Sequence, residues 1–350
     1  MTHRFGIVGS GMIVPVHLEA IDALANAEAT GIMDHGSGRG KKMAPSLDHT
    51  GSDDLDLFVA RDDIDIIVVA TPSGVHHEAA VKAAEAGKHC IVEKPIDIQL
   101  DRIDEMIAAH ARAGTLLGGI FNTRYSEAAL LLKRTAETGR FGRLTFASAV
   151  GPWWREQDYY DASQWKGTWS LDGGGALMNQ GIHSIDLLQW LVDSPIVSVS
   201  GRIATLAHEN VEVEDTGAAS LTFENGALGT IACTTSMWPG HFRTITLAGT
   251  AGTAVLGDSN LLVWRFRNET PQDEAIRDRF LALPGPGIGA SNPSAGLDYE
   301  GHRAVFAEFL AALDSGRPPP IGGAEARKAV STILAIYASA RLGGVPVAPE

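Results

Sequence analysis

Phe5-Gly6-Ile7-Val8-Gly9-Ser10-Gly11-Met12-Ile13-Val14 decides the fold class. Residues 5–8 form a short apolar run that reads as a strand, and the pattern over 14–25 reads as a helix. Between them Gly9 permits a tight turn. Gly11 brings no side chain, so at the turn through Met12 and Ile13 a pyrophosphate can approach the backbone and sit over the helix N-terminus. The third fingerprint position is Val14 rather than Gly or Ala, so helix and strand are expected to pack less closely there. A bare Gly-x-Gly is a common turn; its placement between first strand and first helix makes it a dinucleotide signal.

Outward from this turn, strand-like and helix-like segments alternate. Strands are predicted at 5–8, 29–33, 64–70, 89–92 and 116–121, with helices at 14–25, 53–60, 76–86 and 101–113. Such alternation implies a parallel, doubly wound sheet, hence an α/β Rossmann domain over residues 1–121. The stretch 34–50 is poor in apolar residues and is left unassigned. After Phe121 the pattern changes. A helix (127–137) and a strand (143–150) precede an irregular aromatic stretch (153–169) and a helix at 176–192. Strands then follow at 196–207, 216–223, 227–237, 243–249, 253–256 and 261–266, with Glu224-Asn225-Gly226 at one turn. These spacings predict hairpins. A Gly- and Pro-rich loop at 284–294 and helices at 299–313 and 325–342 complete an α+β domain over 122–350, with a large open, mainly antiparallel sheet.

Composition excludes several function classes. Lys and Arg number 28 against 42 Asp and Glu, a formal charge of −14, so no basic stripe is expected for nucleic acid or an anionic membrane. No apolar run approaches the roughly 20 residues of a membrane span, and the N-terminus lacks a signal-peptide pattern. Cys90 and Cys233 are too distant in sequence for a disulfide framework, which fits a reducing cytoplasm. No His, Cys and carboxylate group shows metal-site spacing, so no metal is expected.

Several residues stand where chemistry is done. Asp34 ends the second strand, where a carboxylate can bond both ribose hydroxyls of NAD and would repel a 2′-phosphate. Arg39 offers an alternative partner for such a phosphate, and NAD is favoured over NADP. Thr71-Pro72-Ser73 caps the third strand and leads into His76, which reads either as a cofactor contact or as a residue packed at a helix start. Glu93-Lys94-Pro95 lies at the C-terminal mouth of the fourth strand, the edge at which open α/β sheets bind ligands. In Asp172-Gly173-Gly174-Gly175-Ala176-Leu177-Met178-Asn179-Gln180-Gly181-Ile182-His183-Ser184-Ile185-Asp186, Asn179, His183 and Asp186 recur on one helical face. There Asp186 can orient His183 or the reverse, and a polar helix stripe with a hydrogen-bonded core histidine is the plain alternative. Trp153, Trp154, Trp165 and Trp169 are four of the chain's seven tryptophans. Sugars present C–H faces to aromatic rings, so Arg155, Tyr160 and Trp165 are the substrate candidates here, with packing into an oligomer interface as the alternative. Arg124 is read equally as a substrate or cofactor contact and as half of a structural salt bridge, while nothing nearby orients His241 or His302.

Together these residues resemble the Gfo/Idh/MocA family of sugar and inositol dehydrogenases. The matching residues are Gly9-x-Gly11 with His17, Ala70-Thr71-Pro72 with His76, Gly87-Lys88-His89 running to Glu93-Lys94-Pro95, Arg124, and 173–186. The tail Arg317-Pro318-Pro319 and Ala335-Ile336-Tyr337-x-Ser339-Ala340-Arg341 also fits, so the resemblance spans nearly the whole chain. It implies a Rossmann domain followed by an open-sheet α+β domain, with Lys94 and His183 as the catalytic pair. One position departs from the family pattern: Asn179 stands where many members carry Asp. An amide cannot take a proton but can bond a substrate hydroxyl, which leaves acid–base work to His183 and Lys94.

The expectation is oxidation of a ring secondary alcohol of a sugar, sugar derivative or inositol by hydride transfer to NAD. His183 would remove the proton and Lys94 would stabilise the developing alkoxide. An NAD-dependent glycoside hydrolase or lyase, which oxidises only transiently and yields no net NADH, is the alternative. The expected assembly is a homodimer or homotetramer.

Overall fold

The computed structural model describes residues 2–282 and 299–350. The predicted loop 284–294 lies outside them. The described residues divide into two compact units, 2–122 with 299–327, and 123–282 with 328–350.

The first unit is built on a five-stranded parallel sheet of β1 (His3–Val8), β2 (Ala27–Met33), β3 (Ile66–Val69), β4 (His89–Val92) and β5 (Leu117–Gly119), in the order β2-β1-β3-β4-β5. β3 is Ile66-Ile67-Val68-Val69, buried at every residue, as a strand covered on both faces must be. Helices α1 (Val14–Asp22), α2 (Arg39–Met43), α3 (Leu55–Val59), α4 (His76–Glu85) and α5 (Leu100–Ala113) connect the strands. Two of their ends show the local reason: the Asp54 carboxylate accepts the Leu57 N–H at the start of α3, and Gly114, at φ 68°, ends α5. Strand order reverses between β1 and β3, so the crevice beyond their C-terminal ends falls at Gly9 and Ala70-Thr71. Val14 is fully buried.

A helix from far along the chain, Glu300–Asp314, completes this unit. Its Phe306 packs on Phe5 of β1 and His17 of α1, with ring centroids 5.7 and 5.6 Å apart. A side chain at Gly118 on β5 would meet Phe309 of that helix at 2.9 Å, so glycine there sets the close approach. Chain position alone assigned 299–313 to the second domain; apolar contact assigns it to the first unit.

The second unit carries α6 (Glu127–Glu137), β6 (Leu144–Pro152), a short α7 (Asp158–Asp161), a π-helical segment Ala176–Gly181 and α8 (Ile182–Val192). There follow β7 (Ile196–Ala204), β8 (Thr216–Phe223), β9 (Leu228–Thr234), β10 (Thr244–Gly249), β11 (Gly252–Leu256) and β12 (Leu261–Phe266). Their order is β12-β11-β10-β6-β9-β8-β7, antiparallel throughout except between β6 and β9. On β8 buried Gly217, Ala219, Leu221 and Phe223 alternate with Ala218 and Ser220, which are exposed, so one face packs and the other is open. Asn225 accepts the Ala227 N–H at the predicted turn.

Helix α9 (Pro271–Phe280) is one that sequence patterning does not reveal, because only Asp273 on it is buried. Asp273 accepts hydrogen bonds from Trp264 Nε1, Arg140 and the Thr270 backbone, so polar contacts rather than an apolar stripe hold the helix. Helices α10 (Glu300–Asp314, described above) and α11 (Gly323–Arg341) close the chain. Among the described residues, no helix is long and apolar enough to cross a membrane.

Candidate functional site

In the first unit, Gly9 has φ 118°, and a Cβ there would meet the Ala70 carbonyl at 2.3 Å. Only glycine fits this turn. At Gly11 the space is open, Met12 beside it is half exposed, and no side chain caps the start of α1. The result is a cradle of backbone N–H groups suited to an anion. Asp34 is buried, with Oδ2 accepting the Gly40 N–H at 2.6 Å. Burial opposes its charge, but the Gly40 N–H, the Ser37 hydroxyl and the Gly38 and Gly36 N–H groups outweigh it and hold the carboxyl below its ordinary value. This carboxylate therefore orders the loop that follows β2.

His76 is buried, with Nε2 2.9 Å from the Thr71 carbonyl and Nδ1 2.9 Å from the Pro95 carbonyl. Both ring nitrogens face backbone carbonyls, which supports the reading of a residue packed at a helix start over a direct cofactor contact. His76 ties the loop after β3 to the loop after β4, the two that carry Thr71-Pro72 and Lys94. Glu93 is buried at the end of β4, and its Oε2 accepts the Lys94 N–H at 2.9 Å. Lys94 itself is half-buried.

In the second unit, the triple glycine is a packing requirement. A Cβ at Gly174 would lie 2.0 Å from the Tyr337 hydroxyl, and one at Gly175 would lie 1.9 Å from the Glu214 carbonyl. The Glu214 side chain accepts the N–H groups of Gly175 and Leu177 and the Tyr337 hydroxyl, at 3.0, 2.8 and 3.0 Å. Its backbone carbonyl accepts the Ala176 N–H. Glu214 therefore grips the start of the segment that carries Asn179. That segment is π-helical, a form common at functional positions, and α-helix resumes at Ile182 just before His183. The uniform α-helix expected over 176–192 is corrected accordingly.

Asn179 donates through Nδ2 to Asp172 Oδ1 at 2.5 Å and accepts from Gln180 Nε2 at 2.9 Å. Gln180 in turn donates to the Tyr159 hydroxyl and accepts from Arg155 Nη2, at 2.8 and 2.7 Å. Asp172, Tyr159 and Gln180 thus join Asn179 and Arg155 in one polar network. The sequence alone assigns Asp172 and Gln180 no role, and it is Tyr159, not the candidate Tyr160, that lies in this network. Tyr160 is instead buried, with its hydroxyl 3.0 Å from Thr235 Oγ1 and its ring edge-on to His208, so it anchors the aromatic stretch. Burial pushes its hydroxyl up to about 12. Trp165 is half-exposed on the same stretch, and His183 is half-buried on α8.

Arg124 forms a buried salt bridge. Its Nε and Nη2 donate to the two oxygens of Asp186 at 2.7 and 2.5 Å, and both side chains are buried. Asp186 receives that guanidinium on both of its oxygens. His17, Glu93 and His302, dispersed in the sequence, place their ligand-type atoms within 4.8 Å of one another in the first unit.

Residues 3–120 match the oxidoreductase family with an NAD-binding Rossmann fold, and 129–255 match the GFO/IDH/MocA C-terminal domain. The structure is similar to that of the WlbA dehydrogenase from Bordetella pertussis, solved in complex with NADH and UDP-GlcNAcA: TM-score 0.86, 32% identity, 99% of each chain covered. The uncharacterized oxidoreductase YrbE of Bacillus subtilis is 30% identical over 73% of each chain. The myo-inositol 2-dehydrogenase of Thermotoga maritima is 24% identical over 93% of each.

Proposed function

The chain belongs to the Gfo/Idh/MocA family of oxidoreductases, and on that premise we propose that it oxidises a ring secondary alcohol of a sugar, sugar derivative or inositol, with Lys94 and His183 as the catalytic pair. NAD, when bound, supplies the hydride acceptor at nicotinamide C4. The observation that carries this reading is Lys94 at the C-terminal mouth of β4, its backbone N–H held by the Glu93 carboxylate. The residues present fit a dinucleotide, since the turn at Gly9 admits no Cβ and the start of α1 has no side-chain cap. Gly9, Gly11, Met12 and Ile13 would hold the pyrophosphate and Asp34 the adenosine ribose, with Thr71, Pro72, Glu93 and Lys94 beside the nicotinamide. The carboxylate of Asp34 favours NAD over NADP.

His183 removes the hydroxyl proton, and Lys94 donates a hydrogen bond to the same oxygen as negative charge develops. Asn179, oriented by Asp172, bonds a neighbouring hydroxyl, and Arg155 and Trp165 contribute to holding the sugar. The B. pertussis relative makes UDP-GlcNAcA the first compound to assay, beside inositols, aldoses, anhydrosugars and glycosides. The open face of the seven-stranded sheet, where the register partners Phe146 and Leu228 are exposed, supports a homodimer or homotetramer.

Absorbance at the NADH band tests the activity. Lys94→Ala and His183→Ala should each lower kcat by about a hundredfold or more while NAD still binds. Near-normal turnover in either variant removes that residue from the pair. Release of a glycoside's leaving group without net NADH would replace this reading with redox-neutral cleavage.

A further inference from the structure

His17 on α1, Glu93 after β4 and His302 on α10 converge inside the first unit, and all three are buried. Glu93 Oε1 lies 2.8 Å from His17 Nε2 and 3.5 Å from His302 Nε2, while Oε2 accepts the Lys94 N–H. The two imidazole rings sit 5.3 Å apart, and His17 also meets Phe306 edge-on. Nδ1 of each ring is buried with no partner among the described residues. Nε2 is therefore the nitrogen through which each ring meets the carboxylate. Both Nε2 atoms face one carboxylate oxygen. The set is also of a kind that binds metal. However, 2.8 Å is a direct hydrogen bond, and neither ring has the outer partner that a metal-bound imidazole takes.

A buried carboxylate persists only when donors surround it. Burial opposes ionisation of Glu93, but His17 and His302 outweigh it and hold this carboxyl well below the usual carboxylate range. With its charge secured, the carboxylate pins the peptide that joins Glu93 to Lys94.

We propose that His302 is a positioning residue: with His17 it fixes the Glu93 carboxylate, which fixes the Lys94 backbone from which the catalytic ammonium projects. This rests on the reading that Lys94 acts in hydride transfer. The test compares wild type, His302→Leu and His302→Gln by kinetics and by NMR after reductive ¹³C-methylation of lysines. The Lys94 resonance is assigned by its absence in Lys94→Arg. In His302→Leu, kcat should fall about tenfold through misplacement of the lysine, with KM for NAD nearly unchanged, and the Lys94 resonance should move. The amide introduced by His302→Gln carries an N–H that can still reach Glu93, so this variant should restore most of kcat and the wild-type resonance. Should His302→Leu not fold, His302→Asn, whose shorter amide falls short of Glu93, takes its place with the same expectations. Equal behaviour of the Leu and Gln variants, a loss confined to KM for NAD, or an unmoved Lys94 resonance in a folded variant overturns the proposal. If wild type oxidises none of the compounds above, the resonance alone decides it, so failure of the activity and failure of the positioning role are read separately.

Discussion

Glu214→Gln sets burial against hydrogen bonding at the segment that carries Asn179. Three donors face the carboxylate, yet burial pushes its carboxyl from the ordinary 4.5 up to about 7. Between those values the folded protein retains a proton that the unfolded chain has released. The stability that this proton confers is complete below pH 4.5 and is lost as pH rises to about 7. At about 1.4 kcal/mol per pH unit, the loss amounts to about 3 kcal/mol. Glutamine does not titrate, so urea unfolding of wild type and variant from pH 4.5 to 8 isolates the effect as the difference between two curves. Relative to the variant, wild type should lose about 3 kcal/mol up to pH 7 and then stay level. A constant difference would refute the reasoning. A difference of opposite slope would show that the donors of Gly175, Leu177 and Tyr337 outweigh burial.

Asp186→Asn replaces the carboxylate on Nε and Nη2 of the buried Arg124 by a neutral amide and should cost about 3 kcal/mol in urea unfolding; a loss under about 1 kcal/mol would refute the pair's structural role. Asp34→Ser removes the charge that would face a 2′-phosphate. The NADP-to-NAD ratio of kcat/KM should rise about tenfold, or ~1.4 kcal/mol, and an unchanged ratio would refute Asp34 as the discriminating residue.

The candidate site divides by the distance over which each part is specified. Gly9-x-Gly11 and Glu93-Lys94-Pro95 were legible because a turn and a strand end are local events. Asn179 was legible as a polar position, but its partner Asp172 was not, since periodicity says nothing about which amide atom faces which carboxylate. The choice between Tyr159 and Tyr160 turned on Thr235 and His208, which only the folded sheet brings beside Tyr160. The π-helical turn was equally hidden, because Glu214 grips it from a distant loop.

By itself, the sequence determined the two kinds of sheet, most helix and strand positions, and the residues at the mouth of β4. Apolar periodicity and turn chemistry act within a few residues. Tertiary structure decided that the helix bearing His302 and Phe306 completes the first unit, that Asp186 serves Arg124, and that α9 is held by a buried Asp273. These are matches of shape and hydrogen-bond geometry between segments far apart in the chain. Their energies exist only once strand order and register have brought the partners together.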